Sequence, residues 1–303
     1  MISEKLKARF CKDCGIPIKL FREPYFMDRL VLLNDMYGSV GKWYDFISEL
    51  EGYEDEKDFL DYCDKVVNIV IEHIKSTDGF QDFNCLDMNK FSRKVEYPKS
   101  DIYKDCNCDK MYISIDMKKA NFSALRYYDS SIFNNKSTWE DFIGVFTKSK
   151  YIAGSKYIRQ VIFGNCNSKR QGVYERYLML MLLDKIKETS IISDSDIVSV
   201  TNDEIVIDVT SCEDSEVILS SLNKVIEAQD VPFHVSLFKL QKLYNVGYLR
   251  KFNDGTYDIK GVDMNYVPMV VRLLNGQAIT DDDMVFMNNK VLCKYLECPI
   301  STI

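Results

Sequence analysis

Apolar residues recur along this chain with a helical period first and a strand period later. From Glu23 to Leu33, and again from Lys57 to Lys75, they return at helical spacing, the second run through Phe59, Val66, Val67, Val70 and Ile74. Such stripes predict amphipathic helices that bury one face. His73 falls inside the second stripe and reads as structural. At Met111 the period changes. Met-Tyr-Ile-Ser-Ile-Asp, ending on Asp116, is a short run of β-formers. A long helical pattern spans Ser155 to Glu188. Gly164 and Gly172 predict a break in it, because glycine and cap-type residues weaken a helix interior. Strand patterns at Ile197–Val200 and Glu204–Val209 flank a tight turn at Thr201-Asn202-Asp203. A helix over Glu213–Gln229 and a strand over Pro232–Leu240 complete the set. The order is β-α-β-β-α-β, the split βαβ or ferredoxin-like arrangement.

The fold class expected is therefore α+β. A mainly helical domain covers 1–110, the split βαβ unit covers 111–240 with an insertion at about 130–175, and a third region covers 241–303. Asp87 to Cys108, with Lys90, Arg93, Lys94, Pro98, Lys99 and Lys104, reads as a polar linker. Residues 134–153 read as a polar connection anchored by Trp139 and Phe142. Asn253-Asp254-Gly255 predicts a hairpin turn between two β patterns. Val267 to Ile303 reads as helical and acidic, around Asp281–Asp283, with no chemistry assigned.

Composition narrows the class. At 303 residues, 46% hydrophobic and 28% charged, the chain is expected to fold, into two or three domains. The net charge of -7 does not exclude nucleic-acid binding, which depends on local clustering. Lys156, Arg159, Lys169, Arg170 and Arg176 form such a local cluster. The charged start, Met-Ile-Ser-Glu-Lys-Leu-Lys-Ala-Arg, lacks the apolar core of a signal peptide. No run approaches the ~20 apolar residues of a membrane helix, so no membrane association is expected. Ten cysteines without a secretory signal predict reduced thiols or metal ligands and an intracellular setting. Cys11-Lys-Asp-Cys14-Gly has the shape of a zinc knuckle. A structural Zn2+ there needs two more ligands, and Cys106 and Cys108 are the only other close pair. Unpaired cysteines are the alternative reading.

In a split βαβ unit the first strand and the central hairpin lie side by side. Asp116 at a strand end and Asp203 at the hairpin turn can then meet at one edge. Two carboxylates there suit divalent cations and phosphoryl transfer. Ordinary turn chemistry is the alternative. Lys118, Lys119 and Arg126 add positive charge nearby. Basic residues around the helix break suit a triphosphate or a nucleic-acid backbone, or else a solvated face. Lys239, Lys242, Arg250, Lys251 and Lys260 interleave with Tyr244, Tyr248 and Tyr257, a pattern that suits a nucleic-acid strand or a plain surface hairpin.

These residues resemble the palm of a template-dependent nucleic-acid polymerase. Ser114-Ile-Asp116-Met-Lys-Lys-Ala-Asn-Phe-Ser-Ala-Leu-Arg126 resembles polymerase motif A, with reverse-transcriptase-like Asp-x-x-x-Ala-x-Phe-Ser spacing. Ile197 to Val209 resembles motif C, closest to the His-Asp-Glu form of family A DNA polymerases, with Asn202 in the histidine's place. Lys156-Tyr-Ile-Arg159-Gln-Val-Ile-Phe-Gly164-Asn resembles the fingers helix of motif B. Tyr248 to Val262 is similar to the family B segment that follows the palm and touches primer and template. The likeness covers Met111 to Val262, draws on several families, and leaves very short fingers and no exonuclease.

The resemblance implies a compact, viral-type polymerase with a thumb-like C-terminal region, acting in replication. By it, Asp116 and Asp203 hold two Mg2+ ions, with Mn2+ as the alternative, and Glu204 is an auxiliary acid. Lys156, Arg159 and Arg170 hold the triphosphate, while Asn121 or Phe122 lies near the sugar. Lys239, Lys242, Tyr248, Arg250, Lys251 and Lys260 meet the nucleic acid. Partners would be a primed template and nucleoside triphosphates. Two alternatives share the topology: an inactive palm that binds nucleic acid, and a nucleotide cyclase.

Overall fold

The computed structural model describes residues 2–93, 97, 102–212 and 214–300. Lys94, Pro98 and Lys99 of the expected linker, Glu213 at the start of the expected helix, and the last residues through Ile303 lie outside these.

The first third is helical, as its stripes predict. Helices α1 (Glu4–Cys14), α2 (Tyr25–Leu32), α3 (Asn34–Tyr37), α4 (Ser39–Leu50), α5 (Glu56–Ser76) and α6 (Asp78–Cys85) follow in order. Phe59, Cys63, Val66, Val67, Val70 and Ile74 form the buried stripe of α5, and Asp55 caps its N-terminus through the Asp58 amide. Strand β1 (Met111–Met117) then opens the mixed region. It is followed by α7 (Ala120–Tyr128), α8 (Trp139–Ile143), α9 (Lys150–Gly154), α10 (Lys156–Gly164) and α11 (Ser168–Glu188). The expected polar connection at 134–153 thus holds two short helices, with Trp139 and Phe142 fully buried. The expected break is real. Asn167 takes a left-handed conformation (φ 63°), and the buried Gln171 side chain donates to the Phe163 and Cys166 carbonyls at the end of α10.

Strands β2 (Ile197–Val200) and β3 (Glu204–Asp208), helix α12 (Ser215–Glu227) and strand β4 (Phe233–Leu243) complete the β-α-β-β-α-β order. Strands β5 (Gly247–Phe252) and β6 (Tyr257–Lys260) extend the sheet through the expected hairpin, whose Gly255 sits at φ 83°. The sheet has six antiparallel strands in the order β2-β3-β1-β4-β5-β6. Its first four strands keep β1 between β3 and β4, as the split βαβ order requires.

The C-terminal region departs from the expected helix. After α13 (Val267–Leu274) the chain forms a hairpin of β7 (Val285–Asn288) and β8 (Val291–Lys294). Asn289 and Lys290 both have positive φ, which suits a two-residue hairpin turn. The acidic run lies between α13 and β7, outside any helix. Asp283 is buried, accepts the Thr280 amide and hydroxyl at 2.8 Å each, and pairs with Arg272 at 3.2 Å.

One hydrophobic cluster runs from the N-terminal helices to the inner face of the sheet, including Phe10, Trp43, Phe59, Ile113, Leu182 and Ile205. The other face carries a smaller cluster of Tyr112, Val206, Phe238 and Leu240 covered by Ile102. The segment expected as a linker therefore ends by packing on the sheet.

Candidate functional site

Strand alternation sorts the side chains of β1. Ile113, Ile115 and Met117 enter the main core, so Tyr112, Ser114 and Asp116 lie on the opposite face. Directly across from Asp116 stand Glu204 on β3 and His234 on β4. Residues opposite each other in a ladder share a face, so all three crowd one end of it. Asp203 precedes β3 in the turn, and its carbonyl accepts the Met117 amide at 2.8 Å. Thr201 shapes that turn. Its hydroxyl lies 3.2 Å from Asp203 Oδ1 and accepts the Glu204 amide at 3.0 Å. Asp116 and Asp203, expected at one edge, are brought to the same end of the sheet.

The charges here oppose one another. Burial, then the Asp203 and Glu204 carboxylates, push the Asp116 carboxyl up to about 6, while Lys156 and Arg250 pull the other way. Asp116 keeps an exposed flank, so water screens part of this repulsion. Glu204 has its own partners: Oε1 accepts from Ser114 Oγ at 2.6 Å and from Arg250 Nη1 at 2.9 Å. Arg250 reaches it from β5 across the rings of Phe238 and Tyr103, 4.6 and 5.3 Å from their centroids.

Two residues at this end carry no motif. One is His234. The other is Glu175, on α11, only 6% exposed. Burial pushes its carboxyl up to about 7; the Asn121 amide, donating at 2.7 Å, pulls it down, and Asp203 pushes it up. Its signal in the sequence was a glutamate on an apolar stripe, three and four residues ahead of Leu178 and Met179. The same helix runs close under the hairpin turn. A Cβ on Gly172 would stand 2.9 Å from Asn202 Nδ2, and Arg176 donates to the Val200 carbonyl at 2.6 Å.

The expected triphosphate residues divide. Lys156 is near enough to Asp116 to lower its proton affinity. Arg159 is half-buried at the start of α10; burial lowers its pKa, with Glu140 acting against that. Glu140 is held by Lys119 at 2.6 Å. Arg170 turns to the end of α6, where it donates to the Phe83 carbonyl at 3.1 Å and to Leu86. Asn121 faces Glu175, whereas Phe122 is 4% exposed and packs on Phe133 at 4.6 Å.

The basic residues of the C-terminal strands are mostly engaged with acids. Lys239 pairs with Asp109 at 3.3 Å, Lys242 with Asp105 at 2.5 Å and Lys260 with Asp258 at 2.6 Å. Tyr248 donates to Asp105 at 3.1 Å. Arg250 lies beneath the site on Glu204, and Lys251 has no ion pair among the described residues.

Among the described residues, no group of three or more His, Cys, Asp or Glu is arranged as a metal cage. Asp116 and Asp203 offer two hard oxygen donors, a set that suits magnesium, which keeps water and takes phosphate oxygens. All ten cysteines are free thiols, and burial pushes Cys11 and Cys14 up to about 12, the protonated state. No helix among the described residues is long and apolar enough to cross a membrane. No protein-family model matches the chain, and neither does any curated protein or solved structure.

Proposed function

We propose that this chain is a template-directed nucleotidyltransferase whose reaction centre is the acidic end of the sheet. The observation that carries the reading is the placement of Asp116 in register with Glu204, with Asp203 in the adjoining turn. A folded chain that holds like charges together at an open sheet end is expected to do so for a cation or a cationic ligand. Asp116 and Asp203 would hold Mg2+, or Mn2+, and the ions would supply charge neutralisation and a more acidic attacking hydroxyl.

The remaining residues have separable tasks. Arg250 and Ser114 fix one oxygen of Glu204, so this carboxylate shapes the floor of the site rather than moving freely. Lys156, beside Asp116, is suited to the phosphates of a nucleoside triphosphate. Glu175 holds the Asn121 amide toward the same end. Support for the nucleic-acid partner comes from the motif order and not from the C-terminal strands, where Lys239, Lys242 and Lys260 are already paired.

Primer extension tests this, with DNA and RNA templates, both nucleotide sets, and Mg2+ or Mn2+. Template-dependent extension that disappears in Asp203→Asn is the expected result. Nucleotide turnover without a template would make the chain a cyclase-like enzyme instead. No turnover under any of these conditions, with strand binding unchanged in Asp203→Asn, would replace the enzyme reading with a binding protein.

A further inference from the structure

A large concavity of the described residues lies away from the acidic end. It is a cleft of about 1010 Å³ between the N-terminal helices and the segment leading into α10. One wall is aromatic, formed by Tyr53, Tyr62 and Tyr151. These rings are braced rather than loose. Tyr53 meets Tyr62 at 5.6 Å, Tyr151 leans on Phe46 at 4.8 Å, and the Tyr62 hydroxyl lies 2.8 Å from Thr147 Oγ1.

The lining also brings together Lys42 from α4 and Lys148, Lys150 and Lys156 from the opposite side. All four are exposed, and none forms an ion pair among the described residues. Elsewhere on this acidic chain a minority of the lysines are paired, as at Lys57, Lys119, Lys187 and Lys242; what sets the cleft apart is that four unpaired ones converge on one concavity. The acids of the cleft do not cancel them. Asp13 is fully buried, neutralised by Arg9 at 2.8 Å and bound by the Tyr151 hydroxyl at 2.8 Å. That leaves Asp45 and Glu49, the latter accepting the Tyr151 amide at 3.3 Å. Lys156 belongs both to this lining and to the charged surroundings of Asp116, so the cleft and the acidic end share this lysine.

We propose that this cleft holds an unpaired nucleic-acid strand leading to the acidic end, with a base against the tyrosine wall and phosphates on Lys42, Lys148 and Lys150. The inference rests on the nucleotidyl-transfer reading for its direction, but its binding chemistry is independent of the metal site. A braced aromatic wall beside unpaired ammonium groups is the combination that holds single strands without reading sequence. The cleft's volume and its lysines on two sides suit a strand passing through better than one mononucleotide.

The test is fluorescence anisotropy with a labelled single-stranded oligonucleotide, in EDTA and on an Asp203→Asn background, so that catalysis plays no part. The triple variant Lys42→Glu/Lys148→Glu/Lys150→Glu should weaken binding at least tenfold and reduce the slope of log K against log salt by about 2, since each single-strand phosphate contact contributes ~0.7. A control with the same charge change elsewhere, Lys65→Glu/Lys224→Glu/Lys90→Glu, should change binding less than threefold. Tyr53→Leu, which keeps an apolar side chain but removes the stacking ring, should weaken binding at least fivefold, the low end of ~1–3 kcal/mol for a lost base stack. Circular dichroism and melting confirm that each variant is folded. Equal effects of the two charge variants would overturn the proposal. So would a mononucleotide that displaces the strand at equal concentration. Loss of extension in the polymerase assay with cleft-dependent binding intact would count against the enzymatic reading alone.

Discussion

Replacing Glu175 by glutamine should make the protein more stable at alkaline pH and leave it almost unchanged in acid. Glu175 is 6% exposed, and its carboxyl is raised from an ordinary 4.5 to about 7. Because the folded pKa is the higher one, the folded chain binds more protons than the unfolded chain between those values. Stability therefore falls as pH rises through that window and stays low above about 7. Integrated over the window, the cost of ionising the buried group is roughly 3 kcal/mol. Glutamine is isosteric and still offers an oxygen to the Asn121 amide, so the variant escapes the cost without losing the contact. Urea unfolding of both proteins in EDTA checks this. Their stabilities should differ by less than about 1 kcal/mol at pH 5 and by about 3 kcal/mol at pH 8. A difference that is the same at both pH values would refute the reasoning, because a packing or hydrogen-bond effect does not titrate. Asn121→Ala sharpens the test: it removes the partner that favours the charged form, so with Glu175 retained the loss of stability should extend to higher pH and be larger in total.

Three further outcomes follow from the site. Asp116→Asn and Asp203→Asn should each lower metal-dependent extension by at least a hundredfold while the melting temperature holds or rises, since each relieves carboxylate repulsion; unchanged extension would remove both from the site. Arg250→Gln should cost about 3 kcal/mol in urea unfolding, because Glu204 then keeps a shielded charge without its cation, whereas Lys251→Gln on the same strand should stay within about 0.5 kcal/mol. Gly172→Ala should lower extension by displacing the Asn202 amide, 2.9 Å from the new Cβ, and Asn202→Ala in the same chain should restore part of it; no recovery would mean that the turn is not what the added methyl disturbs.

The elements themselves were readable from the chain. Strands at 111, 197, 204 and 233 and the interrupted helix between 156 and 188 lie where period and turn residues put them, because alternation and helical spacing are local properties. The C-terminal hairpin was missed for a local reason too. The stretch around Asp281–Asp283 reads as helical and acidic, and the two left-handed residues Asn289 and Lys290 carry no glycine to announce a turn.

What sequence could not decide was which charge meets which. Lys239, Lys242 and Arg250 look alike along the chain, yet one reaches Asp109, one Asp105 and one crosses two rings to Glu204. Phe122 and Asn121 are neighbours, yet one enters the core and the other meets Glu175. Glu175 reads from the sequence as an anomaly on an apolar stripe, and only the approach of α11 to the hairpin turn sets it beside Asp203. Secondary structure follows from spacing along the backbone, which each segment carries by itself. Pairing and proton affinity follow from distance and burial, and these exist only once the sheet, its crossing helix and the N-terminal helices have packed together.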